Sequence, residues 1–140
     1  MSEYSEQVAL TEWVDSMTGR IPELEMFTAT ANGGKRPQVR NQKTGSYYSP
    51  VAVKLKKSGV RAGVWDILLD CPSGQYHGFR GEMKWGRNKL STEQEAWGER
   101  YRRRGYFTFV AYNWQEMAAA ICEYLGYNVR DYVGDLERVR

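Results

Sequence analysis

An aspartate, a glutamate and a lysine with the makings of a cation-assisted hydrolytic centre stand on two neighbouring segments, Asp66 in Val64 to Asp70 and the tripeptide Glu82-Met83-Lys84 in Tyr76 to Trp85. Both segments read as strands, and Pro72-Ser73-Gly74 between them reads as a turn, so together they predict a β-hairpin. If the hairpin turns about Gly74, Asp66 and Glu82 each lie eight residues from its centre and fall directly opposite. Opposed residues share a face, with Cβ atoms roughly 4.5 to 5.5 Å apart. Two carboxylates so placed repel unless a cation sits between them. A site of oxygen ligands suits Mg²⁺, with Mn²⁺ as a substitute, because Mg²⁺ needs only one or two carboxylates beside waters and substrate phosphate. The Met83 carbonyl would complete the protein ligands. Lys84, two residues past Glu82, points to the same face by strand alternation. There an ammonium can orient a nucleophile or a scissile phosphate while the metal acidifies water. The same three residues also describe an exposed cross-strand ion pair, worth ~0.2 to 1 kcal/mol and without activity. Spacing leaves both readings open.

The elements that must position these residues follow from periodicity. Leu10, Trp13, Val14 and Met17 recur at helical spacing and predict an amphipathic helix from Glu3 to Met17. Glu3, Glu6 and Gln7 project onto its apolar face. They belong either to a solvated first turn, where acids favour the helix dipole, or to a polar site that this end of the helix borders. Leu24 to Thr30, between Pro22 and Asn32-Gly33-Gly34, predicts the first strand, and an exposed loop runs on to Ser49. Pro50 opens a short helix, Val51 to Lys57, closed by Gly59. After the hairpin, Ser91-Thr92-Glu93-Gln94 is a capping-box pattern for a helix carrying Trp97 and Tyr101 and ended by Gly105. Tyr106 to Tyr112 is a strand, and Asn113 caps a last helix, Gln115 to Leu125. The expected fold class is α/β, a central mixed β-sheet of about four strands flanked by helices. Residues 126–140 form a tail, an oligomer contact or a partly disordered end.

With 140 residues the chain has the size of one domain. No run approaches 18 apolar residues and the first residues lack the pattern of a secretory signal, so a cytoplasmic protein without a membrane span is expected. Cys71 and Cys122 make no CxxC pair, which argues against zinc clusters and disulfide frameworks. A single histidine, His77, disfavours a Ser/His/Asp triad and lies near the hairpin turn, away from Asp66. The net charge of +3 is unevenly spread. Residues 1–25 hold Glu3, Glu6, Glu12, Asp15, Glu23 and Glu25 against Arg20 alone, whereas Met26 to Trp65 contain Lys35, Arg36, Arg40, Lys43, Lys54, Lys56, Lys57 and Arg61 and no acid. Arg100, Arg102, Arg103 and Arg104 form a second cluster. Such runs are commonly solvated faces; interleaved here with Tyr47, Tyr48, Tyr101 and Tyr106, they also fit a phosphate backbone with exposed bases.

Over roughly residues 3–125 the chain resembles a virus-type replication-repair nuclease (VRR-NUC) domain, a branch of the PD-(D/E)xK phosphodiesterases. The matching pieces stand in order: Glu3-x-x-Glu6-Gln7, Asn32-Gly33-Gly34, the run Leu55 to Val64, Asp66, Glu82-Met83-Lys84 and Leu90-Ser91-x-x-Gln94. The resemblance implies a restriction-endonuclease-like core and a domain over residues 1–125, with Asp66 and Glu82 as metal ligands beside Met83, Lys84 as catalytic lysine, Gln94 reaching into the site, and a first-helix glutamate in support. Glu3 fits that place better than Glu6, because it precedes Gln7 by one helical turn. Gln94 is also what a capping box alone would require. One position departs from the pattern: the residue before the aspartate, proline in the family, is Trp65.

By resemblance the activity is a Mg²⁺-dependent, structure-selective DNA endonuclease, resolving Holliday junctions as a homodimer. Lys35, Arg36, Arg40, Lys43, Lys56, Lys57, Arg61, Arg102 and Arg103 would track the branched backbone. A nickase or flap-type endonuclease, or a DNA-binding module with a vestigial site, are the alternatives. An interaction protein whose acidic first helix meets another chain would show no salt-dependent DNA affinity.

Overall fold

The computed structural model describes residues 2–30 and 38–136. Helix α1 (Glu3–Met17) starts in a capping box between Ser2 and Ser5. A 3-10 turn, Pro22–Met26, then leads into β1 (Phe27–Ala29). A small hairpin of β2 (Val39–Arg40) and β3 (Tyr47–Tyr48) precedes α2 (Pro50–Lys57). Strands β4 (Ile67–Leu69) and β5 (Phe79–Met83) make the central hairpin, followed by α3 (Thr92–Arg103), β6 (Phe107–Ala111), α4 (Trp114–Leu125) and the short α5 (Val129–Tyr132). The main sheet runs β1-β4-β5-β6, antiparallel except for the parallel pair β5 and β6 that α3 connects. This is the four-stranded mixed sheet flanked by helices that the sequence predicts.

Three segments differ from expectation, and the strand expected over Val64 to Asp70 is reduced to Ile67–Leu69. The strand expected over Leu24–Thr30 is half as long, because Pro22 opens a 3-10 turn that buries Leu24 beneath the sheet edge and leaves only Phe27–Ala29 to pair with β4. The loop expected before Ser49 contains the β2–β3 hairpin, whose turn is held by the Asn41 side chain accepting the N–H groups of Lys43 and Thr44. Nothing in the composition of that turn was strongly apolar, so no strand period was visible.

The two faces of the main sheet are unlike. Ile67, Leu69, Phe79, Gly81, Met83 and Ala111 alternate onto one face, where the apolar sides of α1 and α4 close over them with Leu10, Trp13, Met117, Ala118 and Ile121. Gly81 permits that closeness, since a Cβ there would lie 2.7 Å from Sδ of Met117. Leu68, Arg80, Glu82, Lys84 and Thr108 alternate onto the other face, beneath α3. There Arg80 pairs with Asp70 at 2.8 Å and lies 4.7 Å from the ring centre of Tyr106, and Arg102 donates to Thr108 at 3.2 Å. One face carries the apolar core; the other carries charge under a single helix.

After Leu125, Gly126 takes the left-handed conformation that ends α4 (φ 88°), and residues 127–136 fold back over the core. Trp13 Nε1 donates to the Tyr132 carbonyl at 2.9 Å, Tyr127 Oη to Glu23 at 2.8 Å, and Tyr127, Val129, Tyr132 and Val133 pack against the buried cluster. Ending the chain at Gly126 exposes the side chains beneath this strap. Equilibrium urea unfolding should then show a loss of about 3 kcal/mol or more, and an unchanged midpoint would mean the strap is peripheral to the core.

Candidate active site

The ladder Ile67↔Gly81, Leu68↔Arg80, Leu69↔Phe79, carried one step further, sets Asp66 across from Glu82. The tip of the hairpin follows another count. Ser73 bridges Tyr76, so three residues of one arm (Asp70, Cys71, Pro72) oppose two of the other (His77, Gly78). This one-residue bulge restores the register that opposes the two acids; without it Asp66 would face Met83.

Asp66 and Glu82 each accept a backbone N–H from the strand opposite. Asp66 N–H donates to Glu82 Oε1 at 3.1 Å, and Met83 N–H donates to Asp66 Oδ2 at 3.2 Å. Glu82 Oε2 accepts from Gln94 Nε2 at 2.9 Å and lies 3.6 Å from Lys84 Nζ. Lys84 is held in turn by its own N–H, which donates to the Ala111 carbonyl at 2.8 Å. Gln94 serves both purposes that the sequence allows it. Its Oε1 accepts the Ser91 N–H at 2.9 Å while its N–H donates to Ser91 Oγ at 3.1 Å, a complete capping box. That bond turns the amide nitrogen outward to Glu82. Asp66, Glu82, Lys84 and Gln94 therefore meet at one end of the charged sheet face.

The electrostatics follow from burial. Glu82 is 2% exposed. Loss of water, then the charge of Asp66, raises its carboxyl from the ordinary 4.5 to about 8, against the opposing pull of Lys84 and the Asp66 N–H. Asp66 is raised too, chiefly by burial, with the Met83 N–H opposing and the charge of Glu3 adding. Burial and mutual repulsion thus favour the protonated form of this pair, most strongly at Glu82. Lys84 alone does not compensate two carboxylates here.

The two first-helix glutamates divide their work. Glu3 is the one whose charge reaches Asp66. Glu6, 4% exposed, turns to α4, where Oε1 accepts the Trp114 N–H at 3.3 Å at the positive end of that helix. Its Oε2 has no hydrogen-bond partner among the described residues. The first turn of α1 thus buries Glu6 against α4 while Tyr4 stays exposed.

The basic residues are dispersed. Lys35 and Arg36 lie outside the described residues. Arg40 and Lys43 stand on the β2–β3 hairpin, and exposed Lys56 and Lys57 end α2. Arg61 donates to the Lys56 carbonyl at 3.4 Å, in a connection that packs on the start of α3 through Trp97 Nε1 and the Ala62 carbonyl, 3.0 Å apart. Arg102 and Arg103 belong to the far end of α3, about 12 Å along the axis from Gln94, so the structure does not bring them to the acids. The sequence reading passed over the loop between Lys84 and Ser91. It presents exposed Trp85, Arg87 and Lys89 immediately beside the site, with its Asn88 carbonyl accepting from Tyr112 Oη at 2.9 Å. An aromatic and two bases next to the lysine of the tripeptide were the available clue.

Among the described residues no group of three or more His, Cys, Asp and Glu side chains converges. A cation would have to take Asp66 and Glu82 with backbone and water oxygens, a donor set of the kind Mg²⁺ accepts. Two carboxyl groups opposed on one sheet face are an oxygen donor set that fits such an ion.

The pH dependence has a definite sign. Unfolded, Glu82 loses its proton above 4.5; folded, it holds it to about 8. Its contribution to stability is complete below 4.5 and disappears as pH rises through 8. Thermal melts in chelator should fall across that window, and Glu82→Gln should remove most of the slope; an unchanged slope would contradict the raised carboxyl. Glu6→Ala, which strands the buried Trp114 N–H, should cost about 1 to 3 kcal/mol in urea unfolding, and no loss would mean that Glu6 is not a helix anchor.

No family model matches the sequence, and no curated protein matches it significantly. Among solved structures, a chain described as "VRR_NUC domain protein" aligns with a TM-score of 0.68 and 23% sequence identity, over 91% of this chain and 91% of that one. The chain has the fold of a VRR_NUC domain protein.

Proposed function

We propose that this protein is a metal-dependent, structure-selective DNA endonuclease, with Asp66, Glu82 and the Met83 carbonyl as the ligands of Mg²⁺ and Lys84 as the catalytic amine. The observation that carries the proposal is the convergence of Asp66, Glu82, Lys84 and Gln94, where a cation would relieve two opposed carboxylates. The likeness of fold to a VRR_NUC domain protein supports a nuclease.

When bound, the ion supplies Lewis-acid polarisation of the phosphate and acidifies the attacking water. The chain's own groups do the rest. Asp66 and Glu82 hold the cation's side of the site. Gln94 fixes the Glu82 carboxylate, and Lys84 orients the phosphate and stabilises charge on its oxygens. The water gives up a proton to solvent as its oxygen bonds to phosphorus, one P–O ester bond breaks, and the leaving oxygen takes up a proton from solvent. Arg87 and Lys89 beside the site, with Arg61, Lys56 and Lys57 on the neighbouring connection and helix, would hold the flanking phosphates, and exposed Trp85 would stack on an unpaired base.

The substrate proposed is branched DNA, in the first instance a four-way junction. Two symmetric cuts on a junction require two centres, which a two-fold homodimer supplies. A labelled four-way junction with Mg²⁺ should be cleaved, with activity lost in chelator, in Lys84→Ala and in Asp66→Asn. Cutting a flap or a single strand of duplex in preference would make it a flap endonuclease or nickase. Binding without product in Mg²⁺ or Mn²⁺ would leave a DNA-binding module with a vestigial site. An active monomer would remove the resolvase and keep the nuclease.

A further inference from the structure

Trp65 stands immediately before Asp66, where the resembled family carries proline. Proline presets the backbone through its fixed φ; an indole must do so through contacts. The ring is 1% exposed. Nε1 donates to the Gln94 carbonyl at 2.8 Å, the backbone N–H to Tyr101 Oη at 3.4 Å, and the Trp65 carbonyl accepts from Thr30 Oγ1 at 3.3 Å. Tyr101 meets the indole edge-on, with centroids 5.9 Å apart.

The far edge of the ring lies on Gly98, one turn beyond Gln94 in α3. A Cβ at that position would sit 2.6 Å from Trp65 Cζ2. A glycine inside a helix is roughly 0.5 to 1 kcal/mol worse than alanine, and no turn or positive φ calls for one here. What calls for it is the indole. Gly98 is also the one residue of α3 that is buried, so the helix's deepest contact with the rest of the molecule is this ring. The capping box orients the Gln94 amide within α3, but it does not set the helix's distance from the sheet.

We propose that Trp65 and Gly98 are a matched pair that positions Gln94: the indole, seated on the glycine and bonded to the Gln94 carbonyl, fixes the first turns of α3 where the Gln94 amide reaches Glu82. Trp65 is a positioning residue and acts through Gln94. Loss of its N–H, or a methyl group pushed between ring and helix, lets α3 shift away from the sheet. Glu82 then keeps Lys84 but loses its shortest hydrogen bond. The catalytic consequence rests on the nuclease proposal; the positioning itself does not.

Two variants separate the parts. Trp65→Phe keeps a buried aromatic ring and removes the Nε1 donor. Gly98→Ala keeps the indole and inserts the 2.6 Å contact. In metal-free, DNA-free protein, ¹⁵N spectra should show the Gln94 side-chain amide, assigned by its loss in Gln94→Ala, moving toward solvent-exposed values in both variants. Turnover on a branched DNA should fall about tenfold, with KM held within about twofold. In the Gln94→Ala background Trp65→Phe should cost no further rate, while its loss of thermal stability persists in both backgrounds. A merely structural tryptophan would give equal rate losses with and without Gln94. Unmoved Gln94 amide signals in either folded variant, or additive rate losses, would overturn the proposal. If the unaltered protein cuts no DNA, the nuclease reading fails, and the amide signals still decide the pairing.

Discussion

Two carboxyl groups held opposite each other and out of water form an arrangement that a folded chain tolerates only with strong local support, because each unscreened charge raises the cost of the other. In this molecule nearly every feature around Asp66 and Glu82 answers to that cost. Each acid caps the other's strand through a backbone N–H, an amide from α3 and the ammonium of the residue that follows β5 address Glu82, and both carboxyls are pushed up. The strain is confined to one end of one sheet face. The other face, with Phe79, Met83 and Ala111 under α1 and α4, is apolar throughout and carries the stability that such a site draws on.

The register of a single hairpin decides whether this arrangement exists. Strand side chains alternate with a period of two, so a slip of one residue would send Glu82 into the apolar core and Met83 to the charged face. The bulge near the hairpin tip is therefore part of the site although it lies at the far end of the strands. The buried row Phe79, Gly81, Met83 holds the same register from the other side, since only that phase gives α4 a flat apolar floor.

Much of this was legible in the chain. Alternation and the distance from Gly74 gave the opposition of Asp66 and Glu82, because local pattern and tertiary register agree there. Helical spacing gave α1, and Asn113 with Gly126 bounded α4, because caps act within one turn. What was hidden depends on contacts between distant segments. Glu6 reads as a surface acid until α4 is laid across it. Trp65 reads as a departure from a family pattern until Gly98, 33 positions later, is found beneath its ring. The fate of residues 127–136 turns on Trp13 and Glu23, more than a hundred residues earlier. No window along the sequence contains such pairs.

Charge clusters mislead for a related reason. Arg100, Arg102 and Arg103 are close in sequence to Gln94, yet a helix converts nine residues into about 13 Å. They fall in the last turn of α3, where cations also favour the helix dipole, and that local role suffices to account for them there. Arg87 and Lys89 are fewer and look unremarkable in a count, but they stand exposed on the loop that joins Lys84 to the start of α3. Proximity to the acids is thus set by the ends of elements rather than by the density of charge. The same rule favours the connection after α2, because Ala62 and Gly63 are pinned to the first turns of α3 and keep Arg61 on the side where Gln94 meets Glu82. The acids and the lysine share one end of the sheet with the start of α3.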